Sequence, residues 1–77
     1  MGITVYTKSG CPQCDATLRR LNQRGIPHEV VSLDGNPDAI NQVKELGHYQ
    51  APVIVAGVFS WAGYRPNLIA DLVEQKV

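Results

Sequence analysis

The sequence predicts an α/β fold: a four-stranded mixed sheet with three helices on its two faces, in a single domain over residues 1–77. Three observations carry this reading. The β-rich alternation Ile3-Thr4-Val5-Tyr6-Thr7 gives way to a helical period after Pro12, and then to a second β-rich stretch. Two further β-rich runs flank Ala56-Gly57 near the C-terminal end. Pro12, Pro37 and Pro66 each open a stretch with apolar residues three and four apart.

The elements follow in order. Ile3–Thr7 reads as the first strand, with apolar and polar residues alternating. Ser9-Gly10 interrupts it. From Pro12 the apolar positions Cys14, Leu18 and Leu21 fall at i, i+4 and i+7, the spacing of one helix face. Gly25 ends that helix, since glycine takes positive φ without steric cost. His28 to Leu33 is the second strand. Asn36 is a helix cap with proline at the first helical position after it. Ile40, Val43 and Leu46 form the apolar stripe of this second helix, and Gly47 closes it. Val53-Ile54-Val55 and Val58-Phe59-Ser60-Trp61 form a hairpin with its turn at Ala56-Gly57. The last helix starts at Pro66 and carries Leu68, Ile69, Leu72 and Val73. The opening strand–helix–strand unit requires two parallel strands and a right-handed crossover. The hairpin adds antiparallel strands, which makes the sheet mixed.

Composition narrows the class. Apolar residues are 44% of the 77, enough for a folded core rather than a disordered chain. Lys+Arg and Asp+Glu are seven each, so no basic surplus points to nucleic acid or an anionic membrane. The longest apolar run, Ala51 to Phe59, is broken by Pro52 and Gly57 and is too short to cross a bilayer. No basic segment followed by an apolar one marks export, so a reducing cytoplasmic setting is expected. There, two closely spaced cysteines are usually transient and catalytic.

Those cysteines form the motif Cys11-Pro12-Gln13-Cys14. Cys11 follows a glycine-bearing loop and precedes Pro12, which places it at the N-cap of the first helix. Unpaired amides and the positive end of the helix dipole converge there and favour thiolate over thiol. Cysteines in such motifs titrate at roughly 3.5 to 7.5, against about 8.5 for a free thiol. Lys8, three residues upstream, either adds positive potential or is simply solvated. Asp15 suits the first helical turn but opposes a thiolate at Cys11. Cys14 lies one turn in, on the apolar stripe, and should be the more buried of the two. Cys11 is then the attacking thiol and Cys14 the resolving one.

Three other readings compete. Half of a zinc site is disfavoured because His28 and His48 are separated by 19 residues rather than three to five. A structural disulfide over so short a loop removes little unfolded-state entropy. A pair of buried structural cysteines does not suit Cys11 between Gly10 and Pro12. No metal ligand set and no cofactor other than the Cys11–Cys14 pair are therefore expected. For Pro52, spacing alone leaves the ordinary trans bond as the default.

Three blocks in order, Val5-Tyr6-Thr7-Lys8 before the cysteines, Gln50-Ala51-Pro52-Val53, and Trp61-Ala62-Gly63-Tyr64-Arg65-Pro66, resemble the glutaredoxin-like NrdH redoxins over essentially the whole chain. The resemblance implies a thioredoxin/glutaredoxin fold and a cis peptide before Pro52, facing the cysteines. It implies electron donation to the large subunit of a class Ib ribonucleotide reductase by a monomer, with thioredoxin reductase regenerating the dithiol. It also places Lys8, Pro12, Gln13, Ala51, Pro52, Trp61, Gly63, Tyr64 and Arg65 in or beside the partner-binding surface. Ala62 and Tyr64 stand where the family usually has Ser and Phe, and Pro12 is closer to true glutaredoxins. Glutathione-dependent glutaredoxins carry a second glycine and an aspartate near the last helix; here Gly63 is single and Asn67 occupies that region. The alternatives are a glutathione-linked glutaredoxin or general protein-disulfide reductase, and a metal- or cluster-binding module. Read without the resemblance, Trp61 is a packed aromatic, Arg65 an exposed or paired charge, His48 solvated and Tyr49 half-buried.

Overall fold

The computed structural model describes residues 2–75. The elements are β1 (Ile3–Thr7), α1 (Pro12–Gln23), β2 (Glu29–Ser32), α2 (Pro37–Glu45), β3 (Val53–Ala56), β4 (Phe59–Ala62) and α3 (Pro66–Gln75). The strands form one sheet in the order β2-β1-β3-β4. β1 and β2 are parallel, whereas β3 is antiparallel to both β1 and β4. This is the mixed sheet that the sequence predicts.

The pairing register assigns side chains to faces. Val5 lies opposite Ile54, and Ile54 opposite Trp61, so these three share a face. Val5 and Ile54 join Leu21 of α1 and Ile69 and Leu72 of α3 in the main core, and Trp61 packs against it. One position along, Tyr6, Val53 and Ala62 point to the opposite face. There the Tyr6 hydroxyl donates to Gln42 Oε1 of α2 at 3.0 Å. Two helices thus cover one face and one covers the other.

The first two helices, α1 and α2, end in the same way. The Gly25 amide donates to Asn22 O and the Ile26 amide to Leu21 O, the paired bonds of a Schellman cap. Gly25 has φ +65, and Ile26 and Leu21 are both buried. In α2 the Gly47 amide donates to Lys44 O and the His48 amide to Val43 O, with Gly47 at φ +85. The second cap fixes where the chain leaves α2 and aims the segment that leads to Pro52. Asn36 caps α2 as expected, its side chain accepting from the Ala39 amide at 3.3 Å.

Four details correct the sequence reading. The hairpin turn is Gly57-Val58, not Ala56-Gly57, because Ala56 pairs with Phe59 inside the ladder. Gly57 has φ +64, and no non-glycine residue described has positive φ. A two-residue turn with positive φ at its first position alone needs glycine there, and alanine would be strained. β2 is shorter than His28–Leu33, although the Leu33 amide still donates to Thr7 O at 2.7 Å. Leu46 is exposed at the C-cap of α2, and Ala39 with Val43 makes the buried side. On α1 the buried positions are Cys14, Thr17 and Leu21, with Leu18 only half-buried. Spacing allowed either set, and hydrophobicity favoured Leu18 over Thr17. The expected Val73 position on the α3 stripe concerns a side chain outside the described ones.

Candidate active site

Three chain segments meet at one end of the sheet because of strand direction. β1 finishes there, the antiparallel β3 begins there, and β4 finishes there. Lys8 and the cysteine loop follow β1, Ala51-Pro52 precedes β3, and Gly63 follows β4.

Cys11 is the N-cap of α1, with extended backbone (φ −116°, ψ 96°) and Pro12 in the first turn. Its carbonyl accepts from the amides of Cys14 at 3.1 Å and Asp15 at 3.3 Å. The Cys14 amide also points at Cys11 Sγ, at 3.2 Å. In this structure the two cysteines are joined as a disulfide, with their Cα atoms 5.2 Å apart. After reduction the same amide is placed to donate to the Cys11 thiolate, a charge-assisted bond that helps to hold the negative charge. Cys11 is partly exposed, whereas Cys14 is 2% exposed. Only one of the two sulfurs is open to a protein substrate.

The Ala51–Pro52 peptide is cis. Pro52 is fully buried, and its carbonyl accepts from the Gly63 amide at 2.8 Å. Gly63 has φ +89, and a Cβ built on it would lie 3.6 Å from Gln13 Oε1. Gln13 of the cysteine motif therefore lies over Gly63, which is in turn bonded to Pro52. These contacts join the three sequence blocks. Lys8 and Ala51 also share the lining of one shallow groove. Trp61 sits further in, packed on the core, and its Nε1 has no hydrogen-bond partner among the described residues. Tyr64 and Arg65 are both exposed beyond Gly63. The Arg65 carbonyl accepts from the Leu68 and Ile69 amides and so starts α3.

Among the described residues, no group of three or more His, Cys, Asp or Glu is gathered in a metal-binding arrangement. His28 Nδ1 pairs with Ile26 O at 2.8 Å, and His48 Nε2 with Ser60 Oγ at 2.9 Å.

A family model for glutaredoxin matches residues 3–59. The chain belongs to the glutaredoxin family. Within that family it is similar to the glutaredoxin-like protein NrdH of Salmonella typhimurium, at 45% identity over 94% of this chain and 89% of the relative. The NrdH of Lactococcus lactis subsp. lactis is 34% identical over 91% of this chain and 97% of its own. Among solved structures, the NrdH-redoxin of Escherichia coli superposes with a TM-score of 0.89 at 42% identity, covering 94% of this chain and 95% of that one. The fold is thus thioredoxin-like, and this glutaredoxin is a thiol–disulfide oxidoreductase with a Cys-x-x-Cys pair.

Sequence reasoning missed Asp34. Its Oδ2 accepts from the Ser9 amide at 2.9 Å, which ties the loop before Cys11 to the end of β2. The signal lay in the strand register. Thr7 pairs with Ser32, and running that offset two residues further puts Ser9 opposite Asp34. Asp34→Ala is expected to cost about 1 kcal/mol, the size of one net hydrogen bond, and to slow alkylation of Cys11. Asp34→Asn keeps an acceptor and should recover most of both. Urea midpoints and thiol-alkylation rates for the pair check this; equal behaviour of Ala, Asn and the parent would remove Asp34 from the site.

Proposed function

We propose that this glutaredoxin is the dithiol electron donor of a class Ib ribonucleotide reductase, acting on its large subunit, and that thioredoxin reductase regenerates it. The carrying observation is the segment from Gly63 to Asn67. It has one glycine and no carboxylate where a glutathione amine would need a partner, and Asn67 is exposed. The thioredoxin-like activity profile ascribed to the Escherichia coli NrdH-redoxin supports the same reading.

In the proposed cycle the Cys11 thiolate attacks one sulfur of the substrate disulfide. The substrate's other sulfur leaves as a thiolate and takes up a proton. Cys14 loses its proton and attacks Cys11 Sγ, closing the internal disulfide and releasing the second substrate thiol. Two electrons pass from the Cys11–Cys14 pair to the substrate, and thioredoxin reductase returns two. The cysteine pair is itself the redox centre, with no bound cofactor. The protein works as a cytoplasmic monomer. Lys8, Gln13, Ala51, Gly63, Tyr64 and Arg65 are the contact residues around the cysteines, and Pro12, Pro52 and Trp61 shape that surface.

NADPH consumption separates the two reductants. Turnover with thioredoxin reductase should exceed turnover with glutathione and its reductase, and the reduced protein should sustain nucleotide reduction by a class Ib enzyme. Equal rates with the two systems, or no nucleotide reduction, defeat the proposal. A missing charge-assisted bond is worth about 1.5–3 kcal/mol. That is roughly a ten- to hundredfold loss of glutathione affinity. Asn67→Asp should therefore improve glutathione use; no change would locate the discrimination elsewhere.

A further inference from the structure

The segment between α2 and β3 forms a ridge with Tyr49 at its crest. Tyr49 is 78% exposed, far more than the half-buried side chain the sequence suggests. A shallow groove lies on each side of it. One, of about 140 Å³, is lined by exposed Lys8 and Lys44 together with buried or half-buried Leu33, Ile40 and Val43, and it reaches Ala51 next to Pro52. The other, of about 470 Å³, is lined by Arg65, Trp61 and the hydrogen-bonded His48–Ser60 pair. His48, Tyr49 and Gln50 line both, so the two grooves adjoin at the ridge.

The charge of this surface differs from that of the whole chain. Lysines and arginines equal aspartates and glutamates over the full sequence. Three of the seven basic residues, Lys8, Lys44 and Arg65, line these two grooves, and neither lining contains a carboxylate among the described residues. The nearest acid in sequence to Leu33 is Asp34, whose Oδ2 already accepts from the Ser9 amide. Glu45 follows Lys44 but lines neither groove.

We infer that the two grooves around Tyr49 dock an extended acidic segment of the partner protein, running from the disulfide at Cys11 past Ala51 toward Lys44 on one side and Arg65 on the other. The apolar floor and Tyr49 take side chains between the carboxylates, and the cations pair with the acids. A basic segment meets three like charges, so the surface selects against it as well as for its opposite. The inference rests on the proposed role as a protein-disulfide reductase and names the chemistry of the substrate's flanks.

Three synthetic peptides with the same disulfide, flanked by glutamates, serines or lysines, provide the test. Their reduction by the pre-reduced full chain is followed by stopped flow at low and high ionic strength. The glutamate peptide should react about tenfold faster than the lysine peptide at low salt, within the range of electrostatic steering. Added salt should shrink the ratio as exposed charges are screened. Lys44→Glu should cut it severalfold. Arg24→Glu, the same charge change at the opposite end of α1 from Cys11, should leave it intact. Equal rates for the glutamate and lysine peptides at low salt overturn the inference, as does an Arg24→Glu effect equal to that of Lys44→Glu. Peptide discrimination without ribonucleotide reductase activity keeps the surface and rejects that partner; the converse keeps the partner and rejects the surface.

Discussion

Cys11→Ser is expected to abolish disulfide reduction, with a loss of roughly a thousandfold or more, because exchange requires an accessible thiolate as nucleophile. Cys14→Ser should behave differently. Attack by Cys11 remains possible, but no second thiol closes the internal bond, so the protein accumulates as a mixed disulfide with its substrate. Mass spectrometry under non-reducing conditions reads the difference directly, as an adduct on the Cys14→Ser protein and none on Cys11→Ser. The division follows from the partial exposure of Cys11 at the N-cap of α1 and the 2% exposure of Cys14. The cysteine environment gives an independent check. At mildly acidic pH a small alkylating agent should modify Cys11 of the reduced protein first. Preferential modification of Cys14 would reverse the assignment.

Ile54→Ala should produce the largest loss of stability among the substitutions considered. Ile54 is 0% exposed in β3, between β1 and β4, and faces α1 and α3 through the main core. Truncating a buried isoleucine costs about 2–5 kcal/mol, from lost transfer energy and the cavity left behind. A single core in a chain this short rarely supplies more than about 3–5 kcal/mol. The variant should therefore be substantially unfolded at room temperature without added denaturant. Val58→Ala, at the 95% exposed tip of the hairpin, is the matched control and should change stability by less than about 0.5 kcal/mol. Circular dichroism without denaturant reads the unfolded fraction of Ile54→Ala, and the urea midpoint at unchanged slope measures Val58→Ala against the parent. An Ile54→Ala protein as fully folded as Val58→Ala would mean that this core does not hold the fold together.

The order of elements, the mixed sheet, the helix starts at Pro12, Pro37 and Pro66, and the pair Cys11 and Cys14 with their unequal burial were all legible in the amino-acid order. These are local properties: a period of two or of about 3.6, a capping residue, a glycine free to take positive φ. Each is written within a few residues of where it acts. Which of Thr17 and Leu18 turns inward, and that the hairpin turns at Gly57-Val58 rather than one residue earlier, became visible only in the packed chain. The first depends on how α1 packs against the sheet and α3; the second follows from register, since a strand slipped by one residue exchanges its two faces. The same holds for the site. Lys8, Pro52 and Gly63 stand far apart in the chain and become neighbours because strand direction brings their ends together. Asp34 reaches Ser9 across the β1–β2 register, and the cationic surface around Tyr49 is assembled from the ends of β1, α2 and β4. No local pattern encodes these contacts, because each depends on the pairing of segments distant in sequence, and that pairing is fixed only when the whole sheet buries its apolar faces.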